Sequence, residues 1–169
     1  KPGLLHGEYG KCTDSTKQML GDAQWQWLEQ QLEQPADLRL IVSSTQFLVD
    51  FNGWEAWMNL PYERERMLQL IEKTKANGVF FISGDVHYAE FSKLSRPACY
   101  PIYDFTSSGM THSLPVSGPN KLRVKRFFGG KNFGVIALDW DARNMLWEIK
   151  NKQGKTVRSL NIPMRQLSF

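Results

Sequence analysis

The stretch Asn77-Gly78-Val79-Phe80-Phe81-Ile82-Ser83-Gly84-Asp85-Val86-His87 decides the architecture. Asn77-Gly78 supplies the left-handed stop that helices favour, and Val79 to Ile82 is an apolar run of strand length, expected to be buried on both faces. Just upstream, Tyr62 to Ala76 places Met67, Leu70, Ile71 and Thr74 on one helical stripe, with Glu63, Arg64, Glu65, Arg66 and Lys73 on the wet side. Leu38 to Val42 is an earlier short apolar run, read as a second buried strand that ends in the polar turn Ser43-Ser44-Thr45-Gln46. Strand, helix and strand in that order predict a parallel pair, and hence an α/β fold with β-sheet packed against helices.

Outward from that unit, a helix is expected from Asp22, whose side chain can accept free amide hydrogens of the first turn. Trp25, Leu28 and Leu32 follow at helical spacing, and Pro35 ends it. Phe47 to Leu60 reads as a structured loop with room for one short helix. After Ser83 the chain turns to strand-sized pieces: Tyr88 to Leu94, Ile102 to Thr106, Phe133 to Trp140, Met145 to Lys150 and Thr156 to Ile162. Turn sequences at Asp141-Ala142-Arg143-Asn144 and Gln153-Gly154-Lys155 make the last three an antiparallel meander. Gly109 to Gly118 is a loop, residues 1–20 are an irregular lead-in, and residues 1–169 form one domain without repeats.

The composition supports a folded chain. Of 169 residues, 41% are hydrophobic and 22% charged, which is globular and not disordered. No apolar stretch approaches the ~20 residues of a membrane helix. The amino terminus has no apolar signal core, and the compartment stays open. Cys12 and Cys99 form no Cys-x-x-Cys pair, so a disulfide scaffold is excluded while a single bridge remains open. The net charge is +4, but 21 basic residues are interspersed with 17 acidic ones. The one dense basic run, Lys121 to Arg126, alternates as a strand with a solvated face does, which disfavours a nucleic-acid site.

Chemistry is expected where parallel strands end, because side chains there face the crevice of an open α/β sheet. Asp85 and His87 fall in that turn, and Gly84 offers an unusual backbone angle and close approach. A carboxylate oxygen and an imidazole nitrogen two residues apart suit iron, manganese, zinc or calcium, although two ligands do not hold an ion alone. Equally, Gly-Asp is a common turn dipeptide, Asp85 can serve as a turn cap, and Glu90 can be a solvated strand position. Gln46, at the end of the neighbouring strand, can donate to a phosphate or simply hydrogen-bond its loop. Trp54, Glu55 and Trp57 can wall the pocket, though tryptophan is more often core. Thr106-Ser107-Ser108-Gly109 brings hydroxyls to a third strand end, but a serine nucleophile lacks a partnered base.

Taken together, several segments have a familiar order and spacing: Met19 to Leu28, Ile41-Val42-Ser43-Ser44-Thr45-Gln46, Gly53-Trp54-Glu55-Ala56-Trp57, Pro61 to Arg66, Gly78 to Glu90, and Tyr103 to Gly109. They resemble the alkaline phosphatase D-like metallophosphoesterases of the calcineurin-like phosphoesterase superfamily. The resemblance implies the carboxyl-terminal part of an αββα sandwich with a metal centre at its strand ends. It implies Asp85 and His87 as metal ligands and catalytic residues, with Gln46 and Trp54 as substrate-binding candidates. It further implies hydrolysis of phosphate monoesters or diesters with divalent or trivalent metal ions, iron and calcium being the family's. The resemblance allows a periplasmic or secreted location and leaves the compartment unknown.

The family's earlier ligand motifs lie upstream of the matched region. The resemblance therefore implies that the amino-terminal part of the same enzyme, or a companion chain, completes the site. A rival expectation is a noncatalytic binding or interaction domain that meets a protein or an anionic partner through the β-rich tail and the basic run around Arg123 and Lys125.

Overall fold

The computed structural model describes residues 7–169. The part of the expected lead-in at residues 1–6 lies outside the described residues, and residues 7–20 carry no helix or strand. Two sheets form the frame. Strands β1 (Arg39–Val42), β2 (Val79–Ser83), β3 (Ala89–Arg96), β4 (Cys99–Ser107) and β5 (Arg123–Phe128) make a five-stranded mixed sheet in the order β1-β2-β4-β3-β5. Strands β6 (Asn132–Asp139), β7 (Asn144–Asn151) and β8 (Thr156–Pro163) make the predicted antiparallel meander. The expected α/β class, with sheets packed against helices, is the one observed.

Parallel pairing of β1 with β2 aligns Val42 with Ile82, and β2 with β4 aligns Ser83 with Thr106. Three strands therefore end at one edge, where the loops carrying the candidate residues begin. The strand period of two sorts β2 between layers. Phe80 faces the second sheet and meets Trp147 of β7, while Phe81 stacks on Phe47 at a centroid distance of 3.8 Å. Trp147, fully buried, also stacks on Phe105 and holds the two sheets together.

Helix α1 (Asp22–Leu32) and helix α2 (Pro61–Thr74) join the same core through Trp25, Leu32, Met67, Leu68 and Ile71. Tyr100 ties the far end of β2 to the loop after α2, accepting from the Val79 amide and donating to the Ala76 carbonyl. Cys12 and Cys99 are both free, which closes the question of a bridge. Among the described residues, no helix is long and apolar enough to cross a membrane.

Several expectations need correction. Strand β1 is not buried on both faces: it lies at the sheet edge, and Leu40 and Val42 are exposed. Asp22 does not cap α1, since it is the first helical residue, Gly21 holds the cap position, and the Gln18 amide donates to the Asp22 carboxylate. Helix α2 ends at Thr74, earlier than Ala76, and Lys75, not Asn77-Gly78, supplies its left-handed cap. Any Cβ on Gly78 would come 2.2 Å from the Asp37 carbonyl oxygen, so glycine is required there for close approach as well as for its φ.

Glu63, expected in water, is buried and accepts from the Met19 and Leu20 amides and from Trp25 Nε1. Arg64 likewise turns inward, donating to the Phe47 carbonyl and lying over the Phe47 ring. The Phe47 to Leu60 loop does contain a short 3-10 helix, Trp57–Asn59.

Candidate active site

The turn after β2 is built from backbone conformations that side chains resist. Asp85 has φ 75° and His87 φ 59°, both left-handed, whereas Gly84 does not have a positive φ. The strain expected of the glycine thus falls on the two candidate ligands. Such conformations cost of order 1–3 kcal/mol each and persist where surrounding bonds impose them. Here the His87 amide donates to Ser108 Oγ at 2.9 Å, and the Leu114 amide donates to the His87 carbonyl at 2.8 Å. The Ser108 amide returns a bond to the Tyr88 carbonyl. The turn is stitched to the end of β4 and to the loop beyond it.

Asp85 and His87 are both exposed and line one cavity of about 360 Å³ together with Trp54, Glu55, Leu114 and Val116. The expected juxtaposition of Asp85, His87 and Trp54 is present. Trp57 is instead buried, edge-on to Phe47 and Trp25, and hydrogen-bonded through its indole nitrogen to Ser43 Oγ. His112, absent from the sequence-derived candidates, sets its ring edge-on to that of His87 with centroids 4.9 Å apart. A lone histidine in a Pro- and Gly-rich loop carries no spacing signal that singles it out.

Gln46 does not open onto this cavity. It is 1% exposed, and its amide nitrogen donates to Glu90 Oε1 at 2.8 Å and to Thr106 Oγ1 at 3.0 Å. The side chain is spent on a buried polar layer beneath the site, which removes it from direct substrate contact. Glu90 is fully buried in the same layer, not solvated, and forms an ion pair with Arg123. Asn120 Nδ2 bridges Glu90 and Ser92. The sorting of alternate residues explains the layer: Ser83, Glu90, Ser92, Asp104 and Thr106 are paired in register and share the face that Phe81 turns to Phe47.

Asp104 anchors the layer to the following loop. Its Oδ2 accepts from the Phe47 and Leu48 amides at 2.9 and 2.8 Å, and its Oδ1 from Ser83 Oγ at 2.7 Å. Burial pushes the carboxyl up to about 6, against the opposing pull of the Leu48 amide and the Ser83 hydroxyl. Burial and the Glu90 charge likewise raise the Tyr88 phenol well above its ordinary value. The basic face expected of β5 for an anionic partner is reduced by side chains that turn to the protein itself. Arg123 points inward to Glu90 and the Gly118 carbonyl, and Lys125 Nζ donates to the Ser159 carbonyl.

The donor set at the turn fits a hard or borderline metal: one carboxylate and one imidazole, accessible and on one cavity. It is a partial set. Among the described residues no group of three or more His, Cys, Asp or Glu side chains converges to hold an ion.

A profile of the PhoD-like phosphatase family matches residues 6–122. Among solved structures, the chain is similar to one described as "Structure of PhoD", with a TM-score of 0.71 and 16% sequence identity over 94% of this chain. At that identity the likeness is one of fold. The chain spans 35% of the length of that structure. No curated protein sequence matches it significantly.

Proposed function

Because this chain belongs to the PhoD-like phosphatase family, we propose that it supplies Asp85 and His87 to a metal-dependent hydrolysis of phosphate monoesters or diesters. The observation that carries this reading is the convergence of two strained, exposed, ligand-type residues on one cavity at the carboxyl edge of a parallel sheet. Residues 1–169 act as one portion of a metallophosphoesterase domain, a reading supported by the single hydrophobic cluster that joins both sheets and both long helices.

Asp85 brings a carboxyl group and His87 an imidazole to the cavity that both residues line. The His112 edge and the Ser108 and Leu114 hydrogen bonds limit how that ring and turn can move. Trp54 flanks the substrate on the far side. Gln46 supports the site from below by holding Glu90 and Thr106. A bound metal would supply positive charge to the phosphoryl oxygens and acidify water. Its identity follows the resemblance, namely iron and calcium. The remaining ligands come from the amino-terminal part of the enzyme or a companion chain, which agrees with the partial donor set and with the 35% coverage of the PhoD structure.

The test is coexpression of the chain with the amino-terminal portion of a PhoD-like phosphatase, followed by metal analysis and assay on bis(4-nitrophenyl) phosphate. The expected result is stoichiometric metal and chelator-sensitive turnover, both lost in an Asp85→Ala, His87→Ala double variant. Turnover that persists after complete demetallation refutes the reading.

A further inference from the structure

The cavity at Asp85 and His87 has two chemically different ends. Trp54 is 42% exposed and gives the cavity a large, partly apolar lining surface. Its position is built. The Trp54 amide donates to Asn52 Oδ1 at 3.0 Å, Gly53 takes φ 79°, and the Gly7 and Tyr9 amides donate to the Asn52 and Gly53 carbonyls at 2.9 Å. Leu114 and Val116 line the same cavity. Leu114 is tied by its amide to the His87 carbonyl, so the apolar wall and the candidate ligand turn move as one unit.

Charge sharpens the contrast. Among the described residues that line the cavity, none is Lys or Arg, and the charged ones are Asp85 and Glu55. Glu55 accepts a hydrogen bond from the Tyr9 hydroxyl and lines the cavity beside Trp54. A second phosphate or carboxylate there would meet like charge without a counterion.

We propose that this cavity selects phosphoesters carrying a flat apolar or aromatic ester group, with Trp54 as its platform and Leu114 and Val116 as the opposing wall. The inference rests on the hydrolytic reading for where the phosphate goes, and adds what the rest of the substrate is. An aryl diester satisfies both ends: its single negative charge lies toward Asp85 and His87, and its ring lies on Trp54. Aromatic contacts of this kind account for about a tenfold preference over a methyl group.

Two measurements test it. In the reconstituted enzyme, phenyl 4-nitrophenyl phosphate is compared with methyl 4-nitrophenyl phosphate, which share a leaving group. The expected kcat/KM ratio is about ten in favour of the phenyl ester, falling toward one in Trp54→Ala. A ratio near one in the unaltered protein, or a ratio that Trp54→Ala leaves in place, overturns the proposal.

The second measurement is free of catalysis: NMR titration of the chain alone with phenyl phosphate and with methyl phosphate. Phenyl phosphate is expected to shift the Trp54 indole and the Leu114 and Val116 methyl signals, and methyl phosphate is not. If neither ester is hydrolysed yet those shifts occur, the hydrolytic reading fails and the aromatic subsite stands. If phenyl phosphate leaves those signals in place, the subsite fails whatever the turnover.

Discussion

The backbone amide of His87 donates to the hydroxyl of Ser108 at 2.9 Å. With the bond from the Ser108 amide to the Tyr88 carbonyl, it joins the turn after β2 to the end of β4, strands that pair in parallel. Ser108→Ala removes the acceptor at an exposed residue, where the His87 amide can turn to water. The expected loss in stability is about 1 kcal/mol. Metal affinity of the reconstituted enzyme should fall more than stability does, because the turn loses one of its holds while the core is untouched. Parallel urea denaturation and metal titration check this. A drop in stability with unaltered metal affinity would show that Ser108 supports the fold and not the ligand turn.

His87→Gly tests the strain at the turn. Glycine adopts φ 59° without the Cβ penalty, so the variant should be more stable than the parent by about 0.5 to 1 kcal/mol even after glycine's larger unfolded-state entropy. The same change removes the imidazole, and metal retention should fall at least tenfold. Stability and metal content moving in opposite directions is the expected signature. A destabilised His87→Gly protein would mean that the ring packs for the fold.

Asp104 sets a pH dependence whose direction follows from its burial. Its carboxyl titrates at about 6 in the folded protein against an ordinary value of 3.8. Between those values the folded state holds more protons than the unfolded chain, so this group's contribution to stability is present below about pH 4 and is lost as pH rises through 6. The span corresponds to roughly 3 kcal/mol. Asp104→Asn can keep all three bonds, with Oδ1 accepting from Phe47 and Leu48 and Nδ2 donating to Ser83 Oγ. Urea midpoints at pH 4.5 and 7 should therefore show the variant gaining on the parent as pH rises. Equal pH slopes would remove Asp104 as the source.

Glu63→Ala should detach α1 from α2. The carboxylate collects two backbone amides and the Trp25 indole nitrogen while 4% exposed, and its loss leaves the buried Trp25 donor without an acceptor and releases the Met19 and Leu20 amides. The expected cost is about 2 to 3 kcal/mol. A red shift of tryptophan emission before global unfolding would report Trp25 meeting water. Glu63→Gln should recover part of the loss, since its carbonyl oxygen still accepts from Trp25.

Gln46→Ala separates support from contact. It leaves Glu90 and Thr106 short of a donor in the buried layer, and a loss of about 1 to 3 kcal/mol is expected by urea denaturation. The KM of the reconstituted enzyme should change by less than about threefold. A KM effect without a stability effect would restore Gln46 as a substrate contact.

Local pattern carried much of the architecture. The apolar runs at Val79 to Ile82 and in the last three strands became β2, β6, β7 and β8, because strand pairing depends on short-range periodicity and turn residues. The turn carrying Asp85 and His87 was also legible, since a strand followed by Gly84-Asp85-Val86-His87 places its side chains at a sheet edge. Amphipathic periodicity misjudged Glu63 and Arg64, whose partners come from residues 19, 20, 25 and 47. A charge on a helix face is assigned to water unless a distant chain segment brings hydrogen bonds to it.

The sequence by itself determined the class of fold, the parallel β1–β2 pair, the meander and the place of Asp85 and His87 in the turn after β2, all of which follow from local patterns and the order of elements along the chain. Only the tertiary structure decided that Gln46 and Glu90 are buried, that His112 meets His87, that Trp54 faces the cavity while Trp57 packs in the core, and that β1 is an edge. The physical reason is that burial and hydrogen-bond partnership are set by what arrives from elsewhere in the chain. Thr106 lies sixty positions beyond Gln46, and no local pattern records the bond between them.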